Sequence, residues 1–360
     1  IMESLRVTAR YDARRQAITE HNERRGRMIK GLALTPVKFG ISFTAKHLNQ
    51  AGALVNLYQD GSVQVNHGGT EMGQGLHTKI QGIVSRVLHL SSDQIRVTAT
   101  NTDKVPNTSP TAASSGTDLN GMAAARAAET LLSRLMEHAE KDLGALEPGL
   151  HDGWLVSGGE RVMSFKALVD SAYRARISLS ATGFYRTPKL DYDLDRRWGD
   201  PFFYYAFGAA LSEVHVDGRT GEYHVEQVDI LHDVGNSLNE AVDRGQIEGG
   251  FIQGMGWLTT EELLWNDAGR LMSASPSTYK IPTAHDLPKT FNVSLFERAN
   301  EAPTIYRSKA VGEPPLMLAI SVWCALKDAC ASVCQYKVSP DLAVPATPEQ
   351  VFWAMERARE

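Results

Sequence analysis

Cysteine is scarce in this chain of 360 residues: Cys324, Cys330 and Cys334 are the only three, and all fall in one apparently helical stretch. Their offsets of six and four match no zinc or iron–sulfur ligand set. They read instead as small core residues of a cytoplasmic protein. A basic excess is also lacking. With 37 Lys and Arg against 42 Asp and Glu, the net charge is -5, which argues against a general nucleic-acid binder. Arg24, Arg25 and Arg27 then read as a solvated linker face. No run approaches the roughly 20 apolar residues of a membrane span. The charged start, Ile1-Met2-Glu3-Ser4-Leu5-Arg6, has no apolar stretch of the kind a signal peptide carries. Ile1 precedes the first Met with an amphipathic helix already under way, so the chain is expected to be a fragment or one product of a cleavage.

What is present is an ordinary globular balance, 42% hydrophobic and 22% charged, enough for one large domain or two modest ones. Leu5, Tyr11 and Ile18 predict a helix over residues 1–25, followed by a basic joint over 26–30. Strands are expected around Leu32–Ile41, over 53–58 and over 63–67. The second and third are joined by Gln59-Asp60-Gly61-Ser62, where Asp-Gly suits a tight hairpin. Helical spacing of Ile80, Ile83, Val84, Val87 and Leu88 predicts a helix over 71–90. A strand over 94–100 and a small polar loop over 106–117 come next. Asp118 is placed to cap an Ala-rich helix reaching Lys141. A second cycle puts strands near 178–186, 203–216 and 223–232, and helices near 239–260, 316–335 and 347–358. Strand pairs alternating with single helices imply an α+β fold of layered subdomains, with mixed or antiparallel sheets packed against helices, and not a doubly wound parallel sheet. The expected division is an N-terminal helix and linker, 1–30, then one domain, 31–360, with subdomains 31–188 and 189–360.

Three segments could carry chemistry. His67–Gly75 joins a strand to a helix mouth, where free N–H groups favour an anion. It has neither Walker nor GxGxxG spacing, so a structural turn and a ligand cradle are equally open. The 106–117 loop offers small residues and the hydroxyls of Ser114, Ser115 and Thr117, but also reads as a simple cap and linker. In Ser308–Pro315, two prolines hold Glu313 stiffly ahead of an apolar helix. That carboxylate could complement the helix dipole or act as a general base. No GxSxG supports a hydrolase triad, and His67 and His77 lack a third ligand at metal spacing.

Taken together, these segments resemble the xanthine dehydrogenase/aldehyde oxidase family of molybdenum hydroxylases, from Gly31 onwards. The resemblance rests on Lys38–Thr44, Gly68–Lys79, Ser109–Asp118, Thr182–Pro188, Gly249–Gly254 and Lys309–Pro315, in that order. It implies that Met72, Gly73, Gln74, Ala113, Ser114, Ser115, Thr117 and Gln253 contact a molybdenum-pyranopterin (molybdopterin), with no protein side chain ligating the metal. Gly116 stands where some relatives have serine. Phe43 and Thr44 would contact a flat purine, Ala113 would pack near the molybdenum, and Glu313 would be the catalytic base. The implied reaction takes hypoxanthine or xanthine to urate with water as oxygen source. Electrons would leave through 2Fe-2S centres and FAD on a partner subunit or chain. Aldehyde oxidase or another N-heterocycle hydroxylase is the alternative. The family's substrate arginine and glutamate belong to preceding sequence, so an N-terminal part of the molybdenum subunit is an expected partner in a hetero-oligomer. Separated from that part, the chain is expected to be an inert scaffold.

Overall fold

The computed structural model describes residues 1–104 and 108–360. Pro106 and Asn107, the first positions of the expected 106–117 loop, lie outside the described residues. Two helices, α1 (Met2–Thr8) and α2 (Tyr11–Glu23), replace the single helix expected at the start, because Arg10 adopts a left-handed conformation with φ 55°. Leu5, Ala9 and Ile18 pack against Leu32, Ala209 and Leu211. The expected basic joint is already the entry to β1 (Met28–Ile41). Arg27 is not simply a solvated linker residue, since its Nε donates to Asp217 at 2.8 Å.

The chain continues through β2 (Gln50–Leu57), β3 (Val63–His67), α3 (Leu76–Leu88), β4 (Ile95–Val97) and α4 (Gly116–Lys141). A three-stranded sheet follows, β5 (Gly149–His151), β6 (Trp154–Ser157) and β7 (Glu160–Ser164), with α5 (Phe165–Arg174). Then come β8 (Ser180–Arg186), the short pair β9 (Asp191–Asp193) and β10 (Trp198–Asp200), and the hairpin β11 (Tyr204–Asp217) and β12 (Tyr223–His232). The last elements are α6 (Glu240–Thr259), β13 (Thr290–Leu295), α7 (Ile320–Ser332) and α8 (Pro348–Arg359). The fold class is α+β, as the alternation of strand pairs and helices implied.

Two four-stranded sheets share one plan. Their orders are β8-β2-β3-β4 and β1-β11-β12-β13, and in both the first two junctions are antiparallel and the last parallel. Parallel neighbours need a crossover, and a helix supplies it each time: α3 from β3 to β4, α6 from β12 to β13. Both sheets also carry a glycine beneath a long helix. A Cβ on Gly183 of β8 would overlap the Ala123 carbonyl of α4, and one on Gly31 of β1 would overlap the Ala325 carbonyl of α7. Hydrogen bonding therefore ignores a cut at residue 188, because β1 is the edge strand of the second half's sheet. Each sheet has its own apolar core, around Val65, Ile80 and Leu131 in one and Val228, Phe251 and Val322 in the other.

Local chemistry sets the helix ends. Asn239 accepts from the Val242 N–H and starts α6, and Thr347 accepts from Gln350 with Pro348 at the first turn of α8. The helical run Pro314–Ser332 is 19 residues long with a mean hydropathy of 1.3, apolar enough by length and composition to cross a membrane. That corrects the sequence reading, but Leu318, Val322, Ala325, Leu326 and Ala329 are fully buried in the core beside β1 and β11. It is a core helix whose inner face explains its hydropathy, and Cys330 is buried on it. Its first turn, Pro314–Ala319, is a tighter 3-10 helix. Gly254 of α6 sits against that turn: a Cβ there would overlap the Leu316 carbonyl and stand 3.0 Å from Ala319 Cβ.

Gly254→Ala should force α6 away from this turn and cost about 1–3 kcal/mol, the usual range for overpacking. A thermal unfolding midpoint equal to that of the parent would mean the helix slides without penalty.

Candidate active site

The loops that leave the strands of the two sheets converge. The segment after β3, the loop before α4 and the segment before Pro314 together line a cavity of about 390 Å³. Met72, Gln74, Ser114, Thr117, Gln246 and Glu313 are among its walls. This volume falls in the range of small-molecule sites.

Residues 68–75 are not helical, so α3 begins later than the expected residue 71. Glu71 explains why. Its carboxylate accepts from the N–H groups of Gly73 (2.9 Å), Gly75 (3.0 Å) and His77 (2.9 Å). Burial alone would raise its pKa, but these three donors hold it below the ordinary value. The helix mouth that could have cradled a ligand anion is thus filled by the chain's own carboxylate. Gly73 and Gly75 have φ of 98° and 76°, conformations that glycine permits. Gln74 closes the turn: its Oε1 accepts from Met72 N–H at 2.5 Å and its Nε2 donates to Thr70 O at 2.8 Å. Met72 is left exposed at the cavity.

The opposite wall is strained. Ala113 and Ser114 are both left-handed, with φ of 55° and 53°. Such a conformation costs an L-residue about 1–2 kcal/mol, and strain of this kind clusters at functional sites. It delivers Ser114 to Glu313. The Ser114 hydroxyl donates to Glu313 Oε2 at 2.7 Å, and its oxygen accepts from Glu313 N–H at 2.8 Å. Glu313 is the residue before the 3-10 turn, yet its side chain makes no cap bond to it. Its carboxylate instead lies at the cavity wall, engaged by Ser114.

Buried and half-buried charges, Lys79, Asp118, Asp243 and Lys309, also line the cavity. Asp118 does not cap α4. That helix begins at Gly116, and Asp118 is buried at its third position. The Tyr204 hydroxyl donates to Asp118 Oδ2 at 2.7 Å and accepts from Ala310 N–H at 2.8 Å. Burial pushes Asp118 up from 3.8 to about 6, against the opposing Tyr204 hydrogen bond and Lys79 charge. Tyr204 is pushed up by burial and then by Asp118. Lys79 donates to Asp243 at 2.5 Å, and the second oxygen of Asp243 accepts from Ser237 at 2.6 Å. Lys309 similarly pairs with Asp233 at 2.5 Å. Sequence reasoning missed Tyr204, Asp243 and Gln246. Apart from the bare residue types, no local signal marks them.

Of the residues named from the sequence, Met72, Gln74, Ser114, Thr117 and Glu313 line the cavity. Ala113 adjoins Ser114, and Ser115 is buried with its hydroxyl on Ala112 O. Gln253 is exposed two turns along α6 from Gln246. Phe43 and Thr44 lie just beyond the end of β1 and are not cavity walls. Phe43 is half-buried, its backbone held by Asn49, and Thr44 is exposed. The residues present suit a polar heterocyclic cofactor. Donors and acceptors from Gln74, Gln246, Thr117 and Ser114 surround the space. Beside the Gly68–Gly69 turn, His67 Nε2, His77 Nε2 and Asn120 Oδ1 are buried with no partner among the described residues. Burial lowers His67 to about 4, with the nearby His77 charge adding to the effect.

Comparison with known proteins agrees with this geometry. The family described as the molybdopterin cofactor-binding domain matches residues 4–288. Xanthine dehydrogenase/oxidase of Felis catus is 46% identical over 351 residues, covering 96% of this chain and 25% of the relative. Xanthine dehydrogenase of Oryza sativa subsp. japonica is 42% identical over 364 residues, covering 98% and 25%. The chain thus spans about a quarter of the length of the curated relatives it matches. Quinoline 2-oxidoreductase from Pseudomonas putida 86 shares the fold, with TM-score 0.82, 24% identity, and coverage of 98% of this chain and 45% of that one. The Cu,Mo-CO dehydrogenase does so with TM-score 0.84, 21% identity, and coverage of 99% and 45%. With its family matched over most of its length, the chain belongs to the molybdopterin cofactor-binding domain family, as the molybdenum-cofactor portion of a protein of the xanthine dehydrogenase family.

Proposed function

We propose that this chain is the C-terminal part of the molybdenum site of a cytoplasmic hydroxylase that oxidises hypoxanthine and xanthine to urate. It would act with an N-terminal part of the same subunit and with 2Fe-2S and FAD centres. The names of the relatives at 42–46% identity support the purine substrate. The observation that carries the reading is the Ser114–Glu313 contact across the cavity. It holds a carboxylate on a proline-stiffened turn without using it as a helix cap.

The molybdenum-pyranopterin, when bound, supplies two-electron redox chemistry and oxygen transfer from water. Gln74, Ser114, Thr117 and Gln246 would hold it from this chain's side, together with Met72, Gly73, Ala113, Ser115 and Gln253 as the family resemblance implies. Glu313 takes up a proton at its carboxylate. Ser114 engages Oε2, and Oε1 makes no hydrogen bond among the described residues, so one oxygen is oriented and the other is available. Tyr204 anchors the Ala310 backbone three residues upstream, which restrains the turn that carries the base. Phe43 and Thr44 are assigned to the substrate on resemblance alone.

Glu313→Gln keeps shape and polarity but removes the base. A positioned base is worth about 10²–10⁴-fold, so the variant should assemble with normal molybdenum content yet be reduced by xanthine slower by at least that factor. Stopped-flow bleaching at the parent's rate would end the assignment.

Gln74→Ala should open the 70–74 turn and weaken pterin retention. The pterin content of the purified protein reads this out, and an undiminished content would reduce Gln74 to a turn residue.

Asp118 makes a prediction about pH. Its pKa is raised in the folded state, so its protonated form favours folding. That stability is full below pH 3.8 and is lost as pH rises through about 6, amounting to at most about 3 kcal/mol. In Asp118→Asn the amide oxygen can still accept from Tyr204, but no proton is lost. The variant's unfolding midpoint should therefore gain on the parent's between pH 4 and pH 8. Parallel pH curves would show that Asp118 ionises in the fold without cost.

A further inference from the structure

A separate cluster of ligand-type side chains lies at the other end of β11 from Tyr204. His215 of β11 and His224 of β12 are direct cross-strand partners, and their rings meet edge-on with centroids 5.1 Å apart. The ladder shifts register between Glu213 and Val214, and Glu226 comes close to both rings. His215 Nδ1 is 3.4 Å from Glu226 Oε2, and His224 Nε2 is 2.9 Å from the same oxygen. A ligand atom from each of the three residues lies within 4.8 Å of the other two. Metal–nitrogen bonds of about 2.0–2.1 Å in a tetrahedron put neighbouring ligand atoms roughly 3.3 Å apart, and the two ring nitrogens stand 3.4 and 2.9 Å from the Glu226 oxygen.

Two further features point to a cation. First, His215 Nε2 lies 3.1 Å from Glu213 Oε1, and Arg14 Nε donates to Glu213 Oε2 at 3.0 Å. A histidine that gives one ring N–H to a carboxylate presents the other nitrogen as a lone pair, the arrangement usual for metal-ligating histidines. With the ring proton on Nε2 the remaining nitrogen is Nδ1, which lies 3.4 Å from the same Glu226 oxygen that His224 Nε2 approaches at 2.9 Å, so the three ligand atoms converge on one point. Second, a cation already stands beside them. Lys289, at the entry to β13, places Nζ 2.9 Å from Glu226 Oε2 and 3.1 Å from His224 Nε2. Its side chain is 61% exposed and free to swing into solvent.

We propose that His215, His224 and Glu226 form a site for zinc or a similar divalent transition metal, with Lys289 as the intramolecular cation that the metal displaces. Two imidazole nitrogens, one carboxylate oxygen and a water complete a four-coordinate shell. Occupation clamps β11 to β12 beneath α2, away from the cavity that holds Glu313. Glu226 and His224 are half-buried, so a metal can reach the site from solvent.

The test uses the whole protein in its natural assembly, freed of loosely held metal and equilibrated with zinc sulfate, with bound zinc measured by elemental analysis. The parent should bind one more zinc per chain than His224→Ala or Glu226→Gln. Lys289→Ala should bind that zinc at least about tenfold more tightly, the effect of removing a unit charge a few ångströms away in water. Equal zinc content in the parent and His224→Ala overturns the proposal. Should the histidine variant fail to fold, Lys289→Ala decides alone: unchanged or weaker zinc affinity in it also overturns the proposal.

Discussion

The close approach of one long helix to one strand, made where glycine replaces a side chain, is the constraint on which both halves of the molecule depend. At Gly183 the backbone of α4 lies directly on β8, and at Gly31 that of α7 lies on β1. A side chain at either position would lift the helix from its sheet and open the apolar core beneath, where dense packing supplies the stability. The repeated contact goes with a repeated sheet plan, antiparallel, antiparallel, then parallel. The two sheets with their long helices thus solve the same packing problem in the same way.

The site follows from that repetition. Each unit sends a loop from its parallel edge strand into its long helix, one through Ala113 and Ser114 and the other through Gly312 and Glu313. The two loops meet at the Ser114–Glu313 hydrogen bonds. Tyr204 and Asp118 tie the same two loops together from behind. Neither loop is comfortable by itself. One holds two left-handed residues, and the other turns on consecutive prolines with no side-chain cap. Strain of this sort persists only where surrounding structure over-determines it, and here the packed helices and buried ion pairs provide that support.

Most helices and paired strands were legible because their signals are local. Asp60-Gly61 set the β2–β3 hairpin, helical spacing from Ile80 to Leu88 marked α3, and the ends of β12, α6 and α8 fell within about two residues of expectation. The signals failed where tertiary contact overrode them. Residues 71–75 read as helix until Glu71 folded back on the amides ahead of α3. Asp118 read as a cap until Tyr204 took it inward. The small sheet β5–β7 went unread because strands of three to five residues leave little periodicity to detect, whereas β13 alternates strictly through Phe291, Val293 and Leu295 and was overlooked.

By itself the sequence determined the α+β class, the order of most elements, the motifs that identify the family, and the candidacy of Glu313, since each depends on residue type and near-neighbour spacing. Only the tertiary structure decided which strands share a sheet, that β1 belongs with β11, and that Ser114 stands 2.7 Å from a carboxylate 199 residues away. It also decided that Asp118, Lys79 and Asp243 are buried in the cavity wall rather than solvated on helix surfaces. The reason is physical. Helix periodicity and turn chemistry act over a few residues, whereas burial and hydrogen bonding between distant segments exist only once the two packed halves bring them together.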